Sequence, residues 1–225
     1  MRNKQRPRTG LAAVCVVGVL LVLAGCDGGN DRPDQSEVET ASQANAKEVA
    51  ARFLEAFAAF DTEGAIAFLA DDANISELVG SVGTQGVEGS LDELRMLISL
   101  LEATRYQQLL DACEETGSSP SGNTVSCGFD YHLFGSDDVG LGPYTGSSFG
   151  FTVRDGEIVR ASLAFGTDEF SPQMWEPFAA WISDAHPRDA ALMYGDETQT
   201  GVRLTERSIA LWGQHIPEYV AQAST

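Results

Sequence analysis

The sequence predicts an α+β fold in which helices come first, an antiparallel sheet follows, and a helical segment closes the chain. Three observations carry this. VAARFLEAFAAF places apolar residues at helical spacing near the start of the domain. NTVSCGFDYHLF alternates apolar and polar residues and stands among four consecutive strand-like segments. After Ser171-Pro172 the apolar residues return to helical spacing.

The chain opens with MRNKQRPR, which carries Arg2, Lys4, Arg6 and Arg8 and no acid, before an apolar run from Leu11 to Leu23. A basic flank followed by about 13 apolar residues is the layout of a secretory signal, and the run is short for a membrane span. It ends in Leu23-Ala24-Gly25-Cys26, which resembles the lipobox of bacterial lipoproteins. The resemblance implies removal of residues 1–25 as a signal peptide and a lipid on Cys26, with acyl chains such as palmitate. Two or three such chains hold a protein firmly to a bilayer where one does not. The expected location is the extracytoplasmic face of the cell membrane.

Residues 26–43 then read as a disordered tether, because DGGNDRPDQSEVETA is polar and lacks apolar periodicity. Val49, Phe53, Ala56, Phe57 and Phe60 recur opposite Lys47, Glu48, Arg52 and Glu55, so 44–60 is expected as an amphipathic helix. TEGAIAFLA reads as a shorter helix carrying Ile66 and Leu69, and Ala73 to Val79 as a short strand. Ser90-Leu91-Asp92-Glu93 matches a capping box. The helix it starts is expected to bury Leu91, Leu94, Leu97, Ile98 and Leu101. RYQQLLDACEE, NTVSCGFDYHLF, SSFGFTVRD and EIVRASLAFGT are the four strands, the last two joined at Asp155-Gly156, a pair that favours tight hairpin turns.

Ser171-Pro172 signals a helix start, with Ser as cap and Pro in the first turn. Met174, Trp175, Phe178, Trp181 and Ile182 form its apolar stripe. Pro187 opens a short helix through Tyr194. A last segment carries Leu204, Ile209, Trp212, Ile216 and Tyr219, with Pro217 expected to interrupt it.

Helix, helix, strand, helix and then an antiparallel meander resembles the nuclear transport factor 2-like (NTF2-like), or SnoaL-like, family. VAARFLEAFAAFDTEGAIAFLADDANI is similar to that family's opening, where a long helix ends in an aromatic and an Asp-Asp-Ala turn leads into the first strand. The resemblance covers about residues 44–167. It implies a cone-shaped curved antiparallel sheet wrapped around the N-terminal helices, with residues 168–225 as a helical extension packed on the cone. It also implies an internal cavity and allows dimerisation through the sheet. Secreted lipoproteins of this kind in Gram-positive bacteria are similar in their cysteine pair and Trp-rich C-terminal part.

The 225 residues carry a net charge of −19, and loss of residues 1–25 removes four basic residues and no acid, giving −23. So acidic a chain is unsuited to nucleic acid or to anionic headgroups, which need clustered Lys and Arg. The lipid must therefore do the anchoring. Of four cysteines, Cys15 leaves with the signal and Cys26 carries lipid. Cys113 and Cys127 remain, in an oxidising setting and at a spacing that suits neighbouring strands, as a structural disulfide. A redox-active pair would usually show CxxC spacing.

Enzymes of the resembled family, such as ketosteroid isomerases and polyketide cyclases, use a pocket Asp or His as general base with Tyr donors nearby. The nearest candidates are Asp130, Tyr131 and His132. Strand alternation puts Asp130 and His132 on one face and Tyr131 on the other. The simplest reading places Tyr131 in the core beside Phe129, with Asp130 and His132 facing water. No metal or cofactor is expected. Asp130 and His132 supply only two ligands of the three or four that zinc requires. His186 reads as a helix-end residue and His215 as a surface residue, each alone on its segment. Trp175, Trp181 and Trp212 read first as packing between extension and cone, and second as ligand-clasping aromatics. The sequence contains no phosphate-cradling Gly loop or basic aromatic patch. The function expected is a membrane-anchored lipoprotein that binds a small apolar ligand or a protein partner through its cavity or sheet. The alternative is an isomerase- or cyclase-like enzyme.

Overall fold

Ala, Glu and Gln are good helix formers, and the segment at the start of this fold is rich in them. The computed structural model describes residues 35–84, 86–194 and 201–224, with 35–45 given by backbone alone. Residues 1–25, Cys26 and the tether as far as residue 34 lie outside the described residues. Helix α1 runs Gln35–Ala58, so residues 35–43, expected as tether, are helical instead. From Ala46 onward α1 is amphipathic as expected. Val49, Ala50, Phe53, Leu54 and Phe57 are buried, while Lys47, Glu48, Arg52 and Glu55 are exposed.

Phe60 turns the chain at φ 56, and Asp61 caps α2 (Thr62–Ile66) by accepting from the Gly64 N–H at 3.0 Å. Leu69 is not part of α2 but opens β1 (Leu69–Asn74). The strand expected over 73–79 is therefore displaced, and its second half folds as α3 (Ser76–Val79). The Asn74 side chain is the cause. It accepts from both the backbone N–H (3.2 Å) and the hydroxyl (2.9 Å) of Ser76, closing a turn that ends the strand. Ile75, Leu78 and Val79 then enter the core together.

Helix α4 (Leu91–Ala103) begins with the expected capping box and buries Leu94, Leu97, Ile98 and Leu101. Leu91 is instead 43% exposed, since its place in the first turn leaves it at the rim. Four strands follow: β2 (Gln107–Ser119), β3 (Gly122–His132), β4 (Tyr144–Arg154) and β5 (Glu157–Ala164). The sheet order is β1-β5-β4-β3-β2, antiparallel throughout except that β1 runs parallel to β5. Between β4 and β5, Asp155 (φ 54) and Gly156 (φ 85) supply the two positive φ angles of a tight hairpin. Register shifts within β2, β3 and β4 pairings mark bulges, which bend the sheet. The bend lets α1 lie against it. Phe53 meets Phe151 edge-on at 5.4 Å, and Phe57 meets Phe149 at 5.5 Å. Cys113 and Cys127 face each other across β2 and β3 and are joined by a disulfide.

The extension comprises α5 (Glu176–Ala185), α6 (Pro187–Met193) and α7 (Glu206–Ala223). Ser171 does not cap α5. Phe170 is already helical, a π-helical turn spans Ser171–Trp175, and the Ser171 hydroxyl donates to Glu176 at 3.2 Å. Pro217 does not interrupt α7 either. It lies on the exposed side, where water can take the carbonyl it leaves unbonded. Gln35–Thr225 form one compact unit. Among the described residues no helix is long and apolar enough to cross a membrane.

Candidate functional site

A sheet bent around a helix cannot be filled completely by one row of side chains, and here it leaves a cavity of about 330 Å³ between sheet and extension. Its wall takes Leu100 and Leu101 from α4, Tyr131 from β3, Phe165 after β5, and Trp175 and Trp212 from the extension. Around it the aromatic rings form a continuous stack. Trp212 lies 5.8 Å from Trp175, 5.3 Å from Phe178 and 5.3 Å from Phe134. Trp212 is fully buried and Trp175 half-buried, so both pack between sheet and extension, and both also line the cavity. Trp181 belongs elsewhere. Its indole N–H donates to Gln222 at 3.1 Å, and it does not border the cavity.

The polar content of the wall is small. The Thr104 hydroxyl is used by the Leu100 carbonyl at 2.8 Å. The Tyr131 hydroxyl donates to the Gly166 carbonyl at 2.9 Å. Gly166 is required there, because a Cβ would run into the backbone carbonyl of Thr145. Burial, with Tyr144 adding to it, pushes the Tyr131 phenol well above its ordinary range, so it stays protonated. Two further wall residues, Ser81 and Trp212, each hold a buried polar atom, Oγ and Nε1, without a hydrogen-bond partner. Both atoms are closed to solvent, so neither is presented to the open part of the cavity.

Asp130, Tyr131 and His132 are not brought together. Tyr131 joins Phe129 inside, and Asp130 and His132 sit on the opposite, half-exposed face. The bulge at this level adds its residue to β4 and leaves the alternation of β3 intact, since Phe129 and Tyr131 pair with Ser147 and Tyr144. His132 Nδ1 lies 3.1 Å from the Ser136 hydroxyl, away from the cavity. Among the described residues no carboxylate or imidazole borders the cavity.

His215, expected at the surface, is fully buried. It sits on the inward stripe of α7 between Trp212 and Ile216, and the periodicity of that stripe carried the signal. Nor do His186 and His215 stand alone: their rings are 4.4 Å apart, and Asp189 and Glu218 lie beside them. Trp181 covers this pair, 5.5 Å from His186 and 6.2 Å from His215.

No family model matches the chain. No curated protein matches it. Solved structures that align with it include a candidate polyketide cyclase of Xanthomonas campestris pv. campestris, at 20% identity, covering 59% of this chain and 98% of that one with a TM-score of 0.42. An NTF2-like protein of unknown function from Cytophaga hutchinsonii aligns at 14% identity, covering 53% and 88%, TM-score 0.34. AclR, a candidate hydroxylase from Streptomyces galilaeus, aligns at 13% identity, covering 59% and 96%, TM-score 0.42.

Proposed function

We propose that this protein is a binding domain of the NTF2-like kind, anchored by lipid on Cys26 at the outer face of the cell membrane. It holds a small, largely apolar ligand. The observation that carries the reading is the cavity wall, mainly aromatic and aliphatic, with no carboxylate or imidazole among the described residues. An apolar cavity of this size with few polar groups is the usual form of a small-molecule site. Fold alone does not assign the function, which rests on the wall itself. A general base at Asp130 or His132 would face away from anything bound inside.

The test uses the full chain and the apolar fluorophore N-phenyl-1-naphthylamine. Saturable one-site binding is expected, and it should be displaced by medium-chain alcohols or ketones. Thr167→Trp, at the exposed rim of the wall, should weaken it severely while leaving thermal unfolding unchanged. Asp130→Asn and His132→Ala should leave it intact. Absence of saturable binding, or binding indifferent to Thr167→Trp, would sink the ligand reading. For the anchor, Cys26→Ala should release the unprocessed chain from lipid attachment, and acyl labelling that persists in this variant would refute it.

A further inference from the structure

We infer that His186, Asp189 and His215 form a site for one divalent transition metal ion of the zinc class, distinct from the apolar cavity. One ligand atom from each of the three lies within 4.8 Å of the others. His215 Nε2 and Asp189 Oδ2 are already 3.0 Å apart. Ligand atoms on a tetrahedral zinc with bonds of about 2.0–2.1 Å are separated by roughly 3.3 Å. That pair needs almost no movement, and the remaining contraction falls to His186, whose side chain is 32% exposed and can rotate.

The scaffold is built for such a set. His186 and Asp189 flank Pro187 at the start of α6, one helical turn apart, and Pro187 fixes the backbone between them. His215 projects from the buried face of α7 and is held on all sides. Its second nitrogen, Nδ1, faces Glu218 Oε2 at 3.2 Å. A carboxylate accepting from the far N–H of a ligating imidazole fixes the tautomer that presents Nε2 to the metal. Two imidazoles and one carboxylate suit zinc, nickel or copper and disfavour calcium and magnesium, which take oxygen ligands. Asp189, at 28% exposure, leaves the ion a route from solvent and a coordination position for water. Without metal, His215 lies within hydrogen-bond distance of both carboxylates.

The experiment is titration of the chelator-treated full chain with zinc chloride by calorimetry, and with cobalt(II) by visible absorption. One equivalent should bind, and cobalt should give the intense bands of a low-symmetry four-coordinate site. Because His215 is buried, the half-exposed ligands are the ones replaced: His186→Ala and Asp189→Asn should each weaken zinc by at least about tenfold, the lower end of what losing an outer-sphere partner costs. His132→Ala, outside the cluster, should not change it. Failure of the wild-type chain to take up zinc would overturn the site and leave a hydrogen-bonded network. So would an affinity unmoved by both replacements. Neither result depends on whether the apolar cavity binds its fluorophore.

Discussion

Ser90 and Glu93 close on each other at the start of α4. The Glu93 N–H donates to Ser90 Oγ at 3.2 Å, and the Glu93 carboxylate accepts from the backbone N–H groups of Ser90 and Gly89, both at 2.8 Å. Burial pushes the Glu93 carboxyl up. The N–H groups of Ser90 and Glu88, the Ser90 hydroxyl and the Gly89 N–H outweigh it and hold the carboxyl below its ordinary value. A carboxyl depressed in the folded state contributes stability above its unfolded value and loses it as pH falls through the folded one. Ser90→Ala should therefore cost about 1 kcal/mol by urea unfolding near neutral pH. The deficit of Glu93→Gln should shrink as the pH is lowered from about 7 towards 3. This cap was legible because all its parts lie within four consecutive residues. His215 was not read correctly, although its helical position pointed inward. A histidine on an apolar stripe is placed by its partners, and Asp189 lies 26 residues away in the sequence.

At the level of elements, the disulfide joins β2 to β3 over a separation of 14 residues. Closing a loop of that size removes freedom from the unfolded chain worth about 3 kcal/mol. Reduction should lower the urea midpoint by an amount corresponding to that loss, and a midpoint unchanged by reductant would show that the strands need no staple. The strands themselves were readable from their period-two pattern, and Val125, Cys127, Phe129 and Tyr131 all point inward as that pattern requires. The short elements were less readable. The strand expected over 73–79 yields to α3 because one asparagine side chain captures Ser76, a choice that hydrophobic periodicity does not encode. Pro217 stands inside α7 because solvent reaches its side of the helix, and exposure is set by the tertiary fold.

Across the whole molecule, extension and sheet share one aromatic interior. Phe134, which follows β3, packs on Trp175, Phe178 and Trp212 of the extension, and Phe170 packs on Tyr131 and Tyr144. The unit should therefore unfold in a single transition, with the disulfide intact. Trp212→Ala should cost about 3–5 kcal/mol and lower the melting of sheet and helices together. Two separated transitions would show instead that the extension is a domain of its own. The architecture was foreseeable from element order and the resemblance implied a cavity, but the residues that line it were not readable. Leu100, Phe165 and Trp212 would look the same in a sequence whether they met each other or enclosed a space. Only the bend of the sheet decides between them.

The near-parallel indoles of Trp175 and Trp212, inclined by 27° at 5.8 Å, are close enough for their electronic transitions to mix. Two chromophores coupled in this way absorb circularly polarised light as a pair, with paired bands of opposite sign. Both rings border the cavity, so a ligand that turns either ring should change those bands. Near-ultraviolet circular dichroism is thus a label-free test of the proposed occupancy.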